Sequence, residues 1–208
     1  MDFFESYGLI LILLAGGVGF VMAWGIGAND VANAMGTSVG SKALTIKQAI
    51  FIAMIFEFAG AYLAGGEVTS TIRKGIIDSS FFIDIPELLV LGMISSLLAA
   101  GIWLAVASWL GWPVSTTHSI IGAIIGFTAV GVSMDAVAWD KVAGIVGSWV
   151  VTPAISGVIA YLIFMSAHKL IFQTASPFES AKRYVPFYMA LAGFVMSLVT
   201  IKKGLKHV

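Results

Sequence analysis

Residues Leu88 to Leu110 form a run of 23 without a single charge, about 35 Å long at helical rise. No feature constrains the chain more, because about 20 mostly apolar residues are what a helix needs to cross the hydrocarbon of a bilayer. Gly8 to Trp24, Val142 to Met165 and Val185 to Ile201 are uncharged in the same way, and Gln48 to Gly65 carries Glu57 alone. Five such stretches predict an all-α integral membrane protein with about five transmembrane helices. Composition agrees: 59% of the residues are hydrophobic and 11% charged, with a mean hydropathy of +1.00. A chain of 208 residues has too little interior to hide that much apolar surface. The first stretch is expected to be a span and not a cleavable leader, since it follows Asp2 and Glu5 where a signal peptide is basic.

Several function classes drop out at once. Lys plus Arg is 11 and Asp plus Glu is 11, so the net charge is +0 and no broad basic surface for nucleic acid exists. With no cysteine there is no disulfide or thiolate metal site. No group of residues has metal-ligand spacing, and no Ser, His and acid arrangement stands out. The chain reads as a non-enzyme without a cofactor or a metal site. A lipid enzyme would have to find its nucleophile and base among His118 and the hydroxyls beside it.

Two segments break the apolar pattern. Residues 25 to 40 (GIGANDVANAMGTSVG) and 112 to 131 (WPVSTTHSIIGAIIGFTAVG) are rich in Gly, Ser, Thr and Asn and abut the spans without a charged loop between. Polar, glycine-rich backbone at membrane depth is tolerated only where it is buried in protein or lines a cavity. The expectation is a discontinuous helix over about 8–40, unwound near Gly25 and Gly27, and a re-entrant hairpin over about 112–131. The whole of 1–208 then forms one transmembrane domain. With five crossings, Lys42, Lys47, Lys141, Lys202, Lys203 and Lys206 fall on one side and Arg73, Lys74, Lys169, Lys182 and Arg183 on the other. Six against five does not orient the chain by the positive-inside rule.

The only asparagines, Asn29 and Asn33, stand one helical turn apart with Asp30 beside them. A helix starting at Asn29 or Asp30 after a glycine break would point free N–H groups and a partial positive charge at an anion. Such broken helix ends recur at transporter midplanes. The plainer alternative is a capped loop at the membrane surface. Glu57 lies mid-span, where a carboxylate is costly and faces a cavity, a partner or an ion; the alternative is a Glu satisfied by hydroxyls or backbone. Pro113 followed by Ser115, Thr116 and Thr117 offers a second helix start with many donors and no fixed charge, unless the hydroxyls only bond back to their own helix. His118 reads more simply as a packing residue than as a proton relay.

The segments GANDVANAMGTSVGSKALT (Gly27 to Thr45) and PVSTTHSIIGAIIG (Pro113 to Gly126) closely resemble the signatures of the PiT family of inorganic phosphate transporters. TSTIRKGIID (Thr69 to Asp78) and the stretch from Pro177 to Lys206 resemble that family too. The resemblance implies secondary transport of inorganic phosphate by alternating access, coupled to Na⁺ or H⁺, in a multi-pass protein of the plasma or inner membrane. It also implies phosphate contacts from Asp30, Asn33, Ser115, Thr116 and Thr117, and a cation held by Asn29, Asp30 and Glu57. Family members carry two inverted repeats, each with one asparagine–aspartate motif; this chain carries one. It therefore reads as one repeat, resembling the N-terminal half. The expected partners are the lipid bilayer, phosphate, Na⁺ or H⁺, a second repeat in the form of a C-terminal half or another copy, and a homo-oligomer. A half-length subunit, a channel-like protein and an accessory protein without transport of its own are the alternatives.

Overall fold

A computed structural model describes residues 3–204, without the side chains of 64, 66–74, 203 and 204. Arg73, Lys74, Lys203 and Lys206 thus lie outside the described side chains, as does much of the Thr69–Asp78 motif. Six helices follow one another: α1 (Phe3–Gly40), α2 (Ile46–Gly75), α3 (Pro86–Trp109), α4 (Thr116–Gly131), α5 (Trp139–Ala167) and α6 (Pro177–Val199). Among the described residues the only extended pairing is an isolated antiparallel bridge between Ile77 and Val137. The five expected spans coincide to within two residues with parts of α1, α2, α3, α5 and α6, each long and apolar enough to cross a membrane. Leu9, Phe20 and Val150 are more than 70% exposed, the pattern of helices whose outer faces meet lipid or other protein rather than water.

The helix ends follow local chemistry. Thr45 and Gln48 form a capping box at the start of α2, after Lys42 turns the chain at φ 61°. Pro86 and Pro177 occupy first-turn positions of α3 and α6, where a missing N–H costs nothing. The α2 helix continues to Gly75, ten residues past the expected end of its span at Gly65, and so takes in much of the expected loop.

The chain divides into two compact units. One comprises Met1–Gly60 and Thr69–Trp139; the other comprises Ala61–Val68 and Asp140–Val208. In the second, a π-helical turn (His168–Phe172) extends α5. Ser166 Oγ and Tyr188 OH lie 2.7 Å apart between α5 and α6, and Thr174 Oγ1 and Ser180 Oγ 2.9 Å apart at the connection.

The first unit holds the core and corrects two expectations. The break expected at Gly25 and Gly27 is absent, and α1 is helical for 38 residues. The glycine serves packing instead. Gly19 faces Leu97, Gly101 faces Met22, and a Cβ on Gly25 would lie 3.2 Å from Leu104 Cβ. These contacts share an offset of 78 or 79 residues, so α1 and α3 run parallel and in step. Small residues at the seam let the backbones approach, and Met22, Ala100 and Leu104 are buried there. An unbroken helix also keeps every backbone bond internal, the lowest-cost state in a membrane.

The second correction concerns the hairpin. Residues 112–131 do not turn back on themselves; the hairpin is larger and consists of α3 and α4, with its tip at Leu110–Ser115. Ser96 Oγ lies 3.3 Å from Ala123 O, Phe127 fills the space over Gly92, and the Phe82 and Phe127 rings stand 6.2 Å apart. Thus α4 runs antiparallel along α3 to its starting end, where Ala136 O accepts from Asp78 N at 3.0 Å. Gly122 and Gly126 sit inside α4, with no turn chemistry around them to reverse the chain.

Candidate functional site

The offset that pairs Gly25 with Leu104 brings Asn29 to Ser108, in the last turn of α3. There α1 runs alongside the hairpin tip and continues as helix to Gly40. The tip is irregular because Gly111 takes φ +71° and Pro113 has no N–H to give. Trp112 O and Val114 N therefore find no partner in either helix.

Asn29 supplies both partners. Its Nδ2 donates to Trp112 O at 2.9 Å and to Ser108 Oγ at 3.3 Å, and its Oδ1 accepts from Val114 N at 3.2 Å. The residue is 6% exposed. Asp30, one position on, points elsewhere, and its Oδ2 accepts a 2.8 Å hydrogen bond from Thr116 Oγ1. The asparagine–aspartate motif and the hydroxyl motif, 86 residues apart in sequence, thus meet at a direct contact.

Around them the hydroxyls have different tasks. Ser115 is the N-cap of α4, with its Oγ accepting from His118 N at 3.3 Å and its carbonyl accepting from Ser119 Oγ at 2.8 Å. Thr116 and Thr117 lie in the first turn, where backbone N–H groups have no helical acceptor. Thr117 is exposed. Asn33, also exposed, lines a cleft of about 270 Å³ with Asn29, Ala32, Ser108, Trp112 and Pro113.

The expected residues are therefore partly assembled. Asp30 and Thr116 are joined, Ser115 and Thr117 flank them in sequence, and Asn33 lies one turn beyond Asn29 on the cleft side. Asn29 and Asp30 do not begin a helix, so the anion-attracting helix start expected there is absent; α4 alone provides one, at Thr116. Glu57 is exposed on α2, two turns beyond Ala49 and one beyond Ala53, both buried on the same stripe. The sequence reading missed Ser108, Trp112 and Val114 as partners of Asn29. Two of the three use only backbone atoms, which carry no residue signal, and Ser108 is one hydroxyl inside an apolar span.

A Haemophilus influenzae protein carrying a phosphate-permease name is 56% identical over all 208 residues, which make up 50% of that protein. The Arabidopsis thaliana protein named inorganic phosphate transporter 2-1, chloroplastic, is 48% identical over 168 residues, covering 81% of this chain and 29% of that one. A solved structure described as the sodium-dependent phosphate transporter superposes with a TM-score of 0.87 at 42% identity, over 96% of this chain and 49% of that chain. The chain thus spans about half the length of the curated relatives it matches, as one repeat of a two-repeat transporter would. The profile of the phosphate transporter family matches residues 26–208, and the chain belongs to that family.

Proposed function

We propose that the chain moves inorganic phosphate across a membrane by alternating access, in symport with Na⁺, and that Asp30 and the α4 start receive the anion. The 2.8 Å hydrogen bond between Thr116 and Asp30 is the observation that carries this reading. An isolated carboxylate repels an anion. A carboxylate that accepts from Thr116 leaves the threonine oxygen as a further acceptor and keeps its own Oδ1 open. Phosphate near neutral pH still carries a proton, with a second pKa of about 6 by analogy with phosphoserine, and that P–OH matches such acceptors. The charged phosphate oxygens take donors: the first-turn N–H groups of Thr116 and Thr117, the Thr117 hydroxyl, the Asn33 amide and, when its cap opens, the Ser115 hydroxyl. That the structural neighbour is described as sodium-dependent supports Na⁺ over H⁺ as coupling ion. The cation offsets the charge of Asp30 and Glu57. Asn29 is left out of that set, because three partners already engage its amide. A second repeat completes the site.

Uptake of ³²P-phosphate into liposomes holding the protein tests the reading. The expected result is saturable uptake that needs an inward sodium gradient. Uptake indifferent to any cation gradient, or a conductance that does not saturate, contradicts it. Sulfate lacks the proton that Asp30 accepts and is expected to compete poorly. Asp30→Asn is expected to cut phosphate uptake roughly 10- to 100-fold, the span of one hydrogen bond to a charged group, and to narrow the preference over sulfate. Sulfate competing as well as phosphate in the unmodified protein removes the discriminating role of Asp30.

A further inference from the structure

We infer that Asn29 is a positioning residue: its side-chain amide fixes the hairpin tip against α1 and thereby sets Thr116 on Asp30. The inference rests on the phosphate reading above for its transport consequence, and on geometry alone for its structural one. Trp112 C=O and Val114 N–H flank Pro113 and point the same way, as the two groups of one strand edge do. An adjacent strand would meet them with an N–H and a C=O, and the Asn29 amide presents that pair from a single side chain, at 2.9 Å and 3.2 Å. The second Nδ2 hydrogen reaches Ser108 Oγ, so one group ties α1, the end of α3 and the tip together.

Few other side chains could do this. Aspartate cannot donate to Trp112 O, leucine can neither donate nor accept, and glutamine is longer by a methylene in a site that is 6% exposed. Two residues after Val114 the chain reaches Thr116, whose hydroxyl meets Asp30, the immediate neighbour of Asn29. Asn29 and Thr116 thus form the two ends of a short clamp. The Asn29 end is buried and built on backbone; the Thr116 end is partly open and is the one offered to substrate. Asn29 therefore acts on phosphate through Thr116, without touching it and without ligating the cation.

Two measurements decide it. In the first, uptake is measured at matched protein levels for Asn29→Ala, Thr116→Val and the double variant. Asn29→Ala is expected to raise the phosphate KM about tenfold, the effect of one or two net hydrogen bonds, with the sodium half-saturation unchanged. In the Thr116→Val background it should add less than about twofold, since residues acting as a unit are not additive. A shifted sodium half-saturation at constant phosphate KM makes Asn29 a cation ligand and overturns the inference, as do multiplicative losses in the double variant. In the second, hydrogen exchange of the 112–118 backbone is followed in the purified protein. Asn29→Ala should expose the Val114 amide and Asn33→Ala should not; unchanged protection in Asn29→Ala overturns the inference. If Asn29→Ala does not fold, Asn29→Asp stands in for the uptake measurement, because it loses the two donations and keeps the bond from Val114 N; its phosphate KM should rise, and an unchanged KM overturns the inference. An unmodified protein that takes up no phosphate refutes the transport reading, while the exchange measurement still decides the role of Asn29.

Discussion

At the residue scale, the buried polar groups of the first unit are few and all committed. Among the described residues no buried side-chain N or O atom lacks a hydrogen-bond partner. Thr128 Oγ1 bonds back to Ile124 O at 2.8 Å, and Ser96 Oγ lies 2.8 Å from Gly92 O. These hydroxyls have the plain local role that hydroxyls in apolar helices often take. Ser115 is the instructive case, because it holds the cap of α4 and also stands beside the proposed phosphate position. The two roles separate by substitution. Ser115→Ala removes the cap and should cost about 1 kcal/mol of stability, read as a lower unfolding midpoint in detergent. Ser115→Asp keeps a capping oxygen and places an anion at the start of α4, so it should leave that midpoint near the original while suppressing phosphate uptake. Full uptake by Ser115→Asp would show that phosphate does not approach this end of the helix.

At the scale of elements, the α1–α3 seam and the α3–α4 hairpin depend on where side chains are missing. A Cβ on Gly92 would lie 1.8 Å from the Phe127 ring, far inside contact distance, so the ring packs directly on α3 backbone. Gly92→Ala must push Phe127 aside, and such overpacking costs about 1–3 kcal/mol. A smaller partner should relieve it: Phe127→Leu is expected to destabilise alone, and the pair to be more stable than Gly92→Ala alone. Thermal unfolding of the four proteins gives the coupling, and strictly additive losses would mean that the ring is not what Gly92 accommodates. The same seam shows why some of the fold was legible in sequence and some was not. Run length and absence of charge located all five spans, because the bilayer imposes them whatever the neighbours. Gly25 and Gly27 looked like a helix break because glycine's local preference was weighed without its neighbour; Leu104, 79 positions away, is what Gly25 meets. The asparagine and hydroxyl motifs stood out as polar islands, but that Asn29 would serve backbone and Asp30 the hydroxyl depends on the parallel register of α1 and α3. That register is a property of packing, and no spacing within either helix encodes it.

At the scale of the whole molecule, the hairpin changes the count of sides. If residues 112–131 had re-entered alone, α3 would deliver the chain across the membrane, and Asp135 would lie opposite Ser80. The observed hairpin returns it. Ile77 pairs with Val137, Asp78 N donates to Ala136 O, and Ala138 N donates to Ile76 O at 2.9 Å, so the segment before α3 and the segment after α4 share one side. The absence of cysteine makes the test direct. Single cysteines at Ser41, Ser80 and Asp135, all exposed, can be labelled in intact vesicles with a thiol reagent that does not cross membranes. Ser80→Cys and Asp135→Cys should react from the same side, and Ser41→Cys, at the far end of α1, from the other. Asp135→Cys reacting together with Ser41→Cys would restore five separate crossings, and would require the Ile77–Val137 pairing to be absent from the protein in its membrane.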